Sequence, residues 1–245
     1  MKRIAKQLAK MAFLAVVAAM CATVAGAQTT DSGSITLQGS VSGYVEVRAG
    51  GAASISGNSG GGISNNKVKG DRLDNPTVLT VDFGEVGPTN TNNFVSAVVP
   101  LRLRSNVSYT LKMSAGAMTY GSGTPDAQSV TLADIGFGVT SATRDSGGGV
   151  ATGTDTVAAA ASGNPTGGSR GSVNGTSGRY EYVAGASLND YTTATTILSG
   201  PRIMNASVPT GNTNGLVVNT MFAVKPQFFT PGSFSTSVTF TISNP

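Results

Sequence analysis

The residue types that most enzymes use for acid–base and nucleophilic chemistry are scarce in this chain of 245 residues. It contains no histidine and a single cysteine, Cys21. Ser-His-Asp triads, Cys-His dyads and His-ligated metal sites all require an imidazole, so the composition excludes them. Residues 57–61 match G-x-S-x-G and residues 64–67 match S-x-x-K. The first motif needs a histidine base and the second a helical turn, which Asn and Gly disfavour, so we interpret both as polar loops.

Paired carboxylates are a catalytic arrangement that this composition still permits, because two acidic residues at a set distance can hydrolyse a glycoside. Asp82 and Glu85 flank a Phe-Gly pair, and Asp71 and Asp74 share a predicted turn. The sequence contains no D-x-D-x-D run, so it does not predict a calcium-binding loop. We expect these carboxylates to be solvated loop residues. The sequence therefore predicts a protein that is not an enzyme, with no catalytic residue, metal site or cofactor.

The positive charge of the chain is concentrated at its start. The chain has 16 Lys and Arg against 12 Asp and Glu, and four of the basic residues precede position 11. They are followed by an apolar run at 11–24, shorter than the roughly 20 residues that span a bilayer, and by Ala25-Gly26-Ala27. This pattern predicts a secretory signal peptide over 1–27 and no transmembrane segment after its removal. Its loss removes four basic and no acidic residues, which leaves a neutral chain without cysteine.

A neutral chain lacks the excess of basic residues that is typical of nucleic-acid-binding proteins. Arg102, Arg104 and Lys112 form a small local cluster. We interpret this cluster as the solvent-facing side of two strands and predict no nucleic-acid partner.

Alternation of apolar and polar residues predicts β-strands along most of the chain. In 95–113, two alternating runs flank Ser105-Asn106, which predicts a hairpin whose strands each have one wet face. Further strands are predicted at 77–83, 130–140, 179–184, 195–198, 203–208, 216–225 and 234–242. Helical periodicity is absent after residue 27. The sequence therefore predicts an all-β fold, an immunoglobulin-like antiparallel β-sandwich over 43–245.

Two segments of this predicted domain are rich in Gly, Ser, Asn and Ala, and we interpret them as long flexible loops, at 49–70 and 141–178. The second contains an alanine run at 158–161 that is compatible with a helical turn. Tyr180, Tyr182 and Tyr191 lie just after it and are the only candidates for contact with a glycan, although core packing explains them equally well.

Both ends of the chain after residue 27 are predicted strands with one apolar face. The N-terminal strand, within 28–42, carries four residues of one parity, which we call the donor residues: Ile35, Leu37, Gly39 and Val41. The C-terminal strand carries four more, which we call the groove residues: Phe234, Val238, Phe240 and Ile242. Such strands need an apolar partner surface. The two strands either pair within one molecule, or the N-terminal strand of one subunit fills the groove of the next.

Three segments resemble pilins built by the chaperone–usher route. Residues 34–41, Ser-Ile-Thr-Leu-Gln-Gly-Ser-Val, are similar to the donor segment of the disulfide-free colonization-factor-antigen type. Residues 79–86, Leu-Thr-Val-Asp-Phe-Gly-Glu-Val, resemble the l-x-F-G-x-v strand of pilins and of related spore-coat-U-like secreted proteins. Residues 230–242 resemble their last strand.

The resemblance implies a structural subunit of a surface fimbria, assembled by donor-strand exchange and taking part in adhesion. The donor residues would insert into a neighbouring subunit, along its groove residues. The implied partners are further copies of the chain and a periplasmic chaperone and usher, and the implied location is the periplasm and then the cell surface. The alternative is a self-contained secreted or surface β-sandwich with a coat or ligand-binding role.

Overall fold

The computed structural model describes residues 38, 42–57, 60–73, 79–88, 93–121, 124–206 and 213–245. The chain divides into two compact units, Met1–Val41 and Ser42–Pro245. The predicted signal peptide and all four donor residues lie outside the described residues. The features below belong to the second unit.

Short strands account for most of the regular structure among the described residues. The strands are β1 (Val45–Ala49), β2 (Ser54–Ser56), β3 (Gly62–Ser64), β4 (Thr80–Asp82), β5 (Val95–Ser105), β6 (Tyr109–Ala115), β7 (Thr119–Tyr120), β8 (Ile135–Arg144), β9 (Thr156–Val157), β10 (Gly171–Val173), β11 (Tyr180–Tyr182), β12 (Thr195–Gly200), β13 (Leu216–Val224), β14 (Phe234–Ser235) and β15 (Val238–Ser243). Three 3₁₀ helices accompany them: Leu132–Asp134, Ala159–Ala161 and Leu188–Tyr191. The second of these is the helical turn expected from the alanine run.

Most of the strands form two larger sheets. The front sheet has the order β1-β5-β13-β8, and β2 also pairs with β5. The back sheet has the order β15-β6-β12-β9, and the pairs β3-β4, β7-β14 and β10-β11 form small separate sheets. All of these pairings are antiparallel. The prediction of an all-β sandwich is confirmed.

The two larger sheets enclose one apolar core. Alternate residues of β5 and β13 face inward from the front sheet, as in Leu101, Leu103 and Val218, and Leu111 and Met113 face them from β6. Each of these side chains is at most 1% exposed. Burial of one such side chain stabilises the fold by roughly 1.5–3 kcal/mol, so this shared core holds the two sheets together.

The hairpin predicted for 95–113 is wrong in its pairing. β5 and β6 have the predicted positions and inward faces, but they belong to opposite sheets. The chain crosses from one sheet to the other at 106–108, where the Ser105 hydroxyl donates to the Val107 carbonyl at 2.6 Å. Alternation indicates which side chains face the core, but it does not distinguish two paired strands from two strands that face each other across a sandwich.

The basic residues of β5 do not form the wet face that their alternation predicts. Arg102 and Arg104 lie on the outer side of the front sheet, yet they are only 2% and 7% exposed. Arg102 pairs with Asp145 and donates to the Thr213 carbonyl at 2.6 Å, and an Arg104 nitrogen lies 3.9 Å from a Glu46 oxygen. These partners come from distant segments, which local periodicity does not reveal.

Other local predictions also differ from the structure. The segments predicted as loops contain β2 and β3 in 49–70, and β9, a 3₁₀ helix and β10 in 141–178. Conversely, the described part of 203–208 forms an isolated bridge between Met204 and Val150 rather than a strand. Ile203 and Met204 are buried, and both of their N–H groups donate to the Ser105 carbonyl. Their apolar character therefore serves the packing of an irregular segment.

Three largely buried tyrosines predict that the fold loses stability at alkaline pH. Burial raises the pKa of Tyr109, Tyr182 and Tyr191 above the ordinary 10.0, and that of Tyr191 reaches about 12. A pKa that is higher in the folded chain favours folding fully below the unfolded pKa and loses this contribution as pH rises. We expect the free energy of unfolding, measured with urea, to fall from about pH 10 upward, with tyrosinate absorbance appearing together with unfolding. Ionisation of all tyrosines near pH 10 in a folded protein would contradict this.

Candidate functional site

The last strand, β15, lies at one edge of the back sheet. It pairs with β6 from Val238, opposite Ala115, to Ser243, opposite Thr110. Val238, Phe240 and Ile242 share one face of the strand and pack against the core. On the side away from β6, the strand forms no backbone hydrogen bond with any part of the chain that the structure describes.

The core is incompletely covered on this side of the sandwich. The inward-facing residues of β15 are only half-buried, and so are Val45 and Val47 of β1, the edge strand of the front sheet. One strand further in, the facing side chains are fully enclosed: Leu103 of β5 and Leu111 of β6 are both 0% exposed. Half-buried apolar side chains therefore line both edge strands, and of the two only β15 has no outer backbone partner among the described residues.

The beginning of β1 and the end of β15 lie at the same corner of the sandwich. Val45 pairs with Ser105 and Ser243 pairs with Thr110, and these partners flank the crossing between the two sheets. The two edge strands contact each other there.

One asparagine at this corner holds the start of the second unit. The Asn106 side chain donates to the Ser42 carbonyl at 3.1 Å and accepts from the Tyr44 N–H at 2.7 Å. The Asn106 N–H donates to the Tyr44 carbonyl at 3.1 Å. Ser42 is thus held at this corner, and a Cβ on the next residue, Gly43, would lie 3.7 Å from the side chain of Asn244, which directly follows β15.

Three of the four groove residues lie together on β15, and Phe234 lies apart from them. Phe234 is on β14 and pairs with Tyr120 of β7, although its side chain also packs against the core. The Thr236 hydroxyl donates to the Gly116 carbonyl at 2.8 Å between the two strands. The single strand predicted at 234–242 is therefore interrupted.

The segment at 79–86 contributes to the core and forms a tight turn. Phe83 packs against the core at half burial, and Val86 is buried. Gly84 has a φ of 64°, a left-handed conformation that favours glycine. The carboxylates of Asp82 and Glu85 each accept the N–H of the residue two positions later, at 2.8 Å. These acidic side chains stabilise their own turns.

The two edge strands of the front sheet have additional backbone partners. The Ala49 N–H of β1 donates to the Asp71 carbonyl at 2.8 Å, and the Phe137 N–H of β8 donates to the Ala186 carbonyl at 2.8 Å. β15 differs from these strands because its outer side has no such partner in the described part of the chain.

The tyrosines considered for glycan contact serve packing. Tyr191 is 1% exposed and its hydroxyl donates to the Gly185 carbonyl at 2.8 Å. Tyr180 packs edge-on against Phe94 and Tyr182, with ring centroids 5.4 and 5.2 Å away. An open cleft of about 490 Å³ next to Phe94 is lined by Asn93, Phe94, Ser96, Thr166 and Lys225. None of the three tyrosines lines it.

Searches for two other kinds of site gave negative findings. The described residues contain no group of three or more His, Cys, Asp or Glu side chains placed to hold a metal ion. They also include no helix with the length and apolar character needed to cross a membrane.

Neither known protein families nor curated proteins match the chain. No protein-family model matches the chain, and no curated protein is significantly similar to it. The function must therefore be inferred from the fold and its surfaces.

Proposed function

We propose that the protein is an exported structural subunit of a surface fibre, in which the N-terminal strand of one copy adds to β15 of the next. The observation that carries this proposal is the open side of β15, where Val238, Phe240 and Ile242 are only half-buried. An unpaired strand edge with an apolar face is a template for another strand, because main-chain bonds supply strength and alternate side chains supply register.

The chain supplies a segment suited to this edge. The donor residues alternate with polar residues and read large, large, small, large, so that one face of a strand would enter the groove. Burial of the three large donor side chains would contribute roughly 1.5–3 kcal/mol each, in addition to the new strand ladder. A joint of this kind would dissociate slowly.

Chain direction favours a donor from another copy. Ser42 is fixed at the corner where β15 ends, so a strand formed by 35–41 of the same copy would run toward that corner, parallel to β15. All the strand pairs in the described sheets are antiparallel. A donor strand from a second copy is free to enter in the antiparallel direction, which is slightly more stable per residue.

An open apolar groove also implies a protecting partner before assembly. Exposed apolar surface next to a free strand edge promotes aggregation, so a periplasmic chaperone would occupy β15 until an usher delivers the next subunit. The signal peptide at 1–27 would provide export to the periplasm, the fibre would lie at the cell surface, and adhesion would be its role.

The second candidate function is a self-contained secreted or surface β-sandwich with a coat or ligand-binding role. The contact between β1 and β15 at the shared corner favours it, because the two sheets already approach each other there. In that case the N-terminal strand would cover the apolar groove of its own molecule.

The test compares the chain from Gln28 onward with a version that also lacks residues 28–41. We expect the longer protein to form ladders that resist SDS without heating, and the shorter one to aggregate unless a peptide of residues 28–41 is added. If both proteins are stable monomers, the proposal fails.

A matched pair of substitutions tests the strand face. Leu37→Glu, on the donor face, should abolish the ladders, because it would place a charge in an apolar groove. Gln38→Glu, on the opposite face, should leave them intact. Equal effects of the two substitutions would argue against insertion of this strand.

A further inference from the structure

The outer strand of the front sheet, β8, would by itself be a second open edge. It pairs with β13 on one side only. Unpaired N–H and C=O groups on such an edge invite pairing with another molecule. The glycine-rich segment that follows β8 returns to this edge, and we call residues 158–187 the cover.

Backbone groups of β8 are bonded to the cover. The Phe137 N–H donates to the Ala186 carbonyl at 2.8 Å, and the Gly163 N–H donates to the Val139 carbonyl at 3.0 Å. Isolated bridges join Gly136 to Ser187 in the antiparallel sense and Val139 to Ser162 in the parallel sense. The two ends of the cover therefore meet the same short stretch of β8 from opposite directions.

One buried arginine connects both ends of the cover to the strand. Arg170 is 8% exposed, and its Nη2 atom donates to the carbonyls of Phe137, Ala160 and Gly185 at 3.0, 2.9 and 3.2 Å. The two N–H groups of this one nitrogen are shared among the three carbonyls. Both the carbonyl and the N–H of Phe137 are therefore hydrogen-bonded to the cover.

The cover also lies on the outer face of β8. Gly136 and Gly138 occupy the two outward-facing positions between Ile135 and Val139. The Tyr182 ring fills the place of a Cβ at position 136, and the Gly163 carbonyl fills the place of a Cβ at position 138. Two glycines at alternate strand positions thus let another segment approach the sheet closely.

We infer that the cover is an edge guard, which blocks pairing of β8 with another copy of the chain. Side-by-side association through the front sheets would require the cover to detach first. The inference goes beyond the proposed function, because it concerns a different edge and holds whether or not β15 accepts a donor.

The test removes the anchor of the cover in protein expressed from the full 245-residue chain. Arg170→Leu should accelerate thioflavin-binding association by about tenfold or more, because this rate follows the population of the open edge. Arg170→Lys, which keeps the charge and N–H donors on a more flexible side chain, should have a smaller effect. The control is Ile197→Val, a substitution in the core on β12. The association rates of Arg170→Leu and Ile197→Val are compared at a temperature where these two variants have the same free energy of unfolding.

Hydrogen exchange locates the effect. The amides of Phe137 and Gly163 should exchange slowly in the unmodified protein and faster in both Arg170 variants, while β6 amides paired with β15 stay unchanged. The inference is overturned if Arg170→Leu associates no faster than Ile197→Val, or if the Phe137 amide is unprotected in the unmodified protein. Persistence of SDS-resistant ladders in the Leu37→Glu protein would count against strand addition at β15 alone, so the two proposals fail separately.

Discussion

Replacing Asp155 with asparagine should lower the free energy of unfolding by about 3–5 kcal/mol, because it leaves a buried guanidinium without its counter-charge. Arg144 and Asp155 form a two-pronged ion pair, with both nitrogen–oxygen distances 2.7 Å. Their side chains are only 11% and 6% exposed, so water compensates little for the loss. The Tyr109 hydroxyl also donates to Asp155, at 2.8 Å.

This ion pair joins parts of the fold that are far apart in the sequence. Arg144 ends β8 of the front sheet and Tyr109 begins β6 of the back sheet. Arg144 also donates to the carbonyls of Ala151, Pro201 and Arg202. Disruption of the pair should therefore loosen the connection between the two sheets as well as the segments on either side of β9.

Urea denaturation measures the effect, and Asp126→Asn is the control. Asp126 accepts hydrogen bonds from Thr230 and Ser129, but it lies at the surface. We expect little change in stability from this control. If Asp126→Asn and Asp155→Asn lowered the free energy of unfolding by similar amounts, the buried ion pair with Arg144 would not explain the effect at Asp155.

The strands and their core-facing sides could largely be read from the sequence. Alternation in 95–113 identified Leu101, Leu103, Leu111 and Met113 as core residues, and all of them are at most 1% exposed. Period-two burial is a local property, so a local pattern suffices to predict it. The assignment of β5 and β6 to opposite sheets depends on long-range pairing, which the same pattern does not contain.

The environment of charged residues was less predictable. Arg102 and Arg104 alternate with apolar residues exactly as solvent-facing residues would, yet they are buried. Asp145 and Glu46 compensate their charges, and each lies more than forty positions away in the sequence. The candidate site shows the same limit, since Val238, Phe240 and Ile242 were predicted as one face, whereas the position of β15 at a sheet edge required the three-dimensional structure.

Two features of the sequence indicate the close approach of the cover to β8, although the composition of 141–178 does not. Glycine and serine in 141–178 suggested a loop, but Gly136 and Gly138 alternate with large apolar residues in the preceding strand. Glycine at alternate strand positions indicates close approach of another segment. The second feature is Arg170, an isolated arginine in a glycine-rich run.

Substituting Gly138 with alanine should destabilise the protein by about 2–3 kcal/mol, toward the upper end of the usual cost of overpacking. The new Cβ would overlap the Gly163 carbonyl oxygen, and Pro165 lies close behind it at 3.3 Å. Both neighbours belong to the backbone or ring of the cover, so neither can rotate away. Relief of the overlap requires the cover to move off β8, which should also expose the Phe137 amide to hydrogen exchange.

Two further glycines separate this steric effect from a general effect of losing a glycine. At position 136 the added Cβ would meet the Tyr182 ring, which can move only by giving up the bond from its hydroxyl to the Ala223 carbonyl at 3.0 Å. Because a side chain still yields more readily than backbone, Gly136→Ala should cost less than Gly138→Ala. At Gly168, within the cover, a Cβ would meet nothing within 4 Å, and Gly168→Ala should be neutral or stabilise the protein by about 0.4–1 kcal/mol. Urea denaturation of the three variants should give this order. If Gly138→Ala is as stable as Gly168→Ala, the cover does not press against β8.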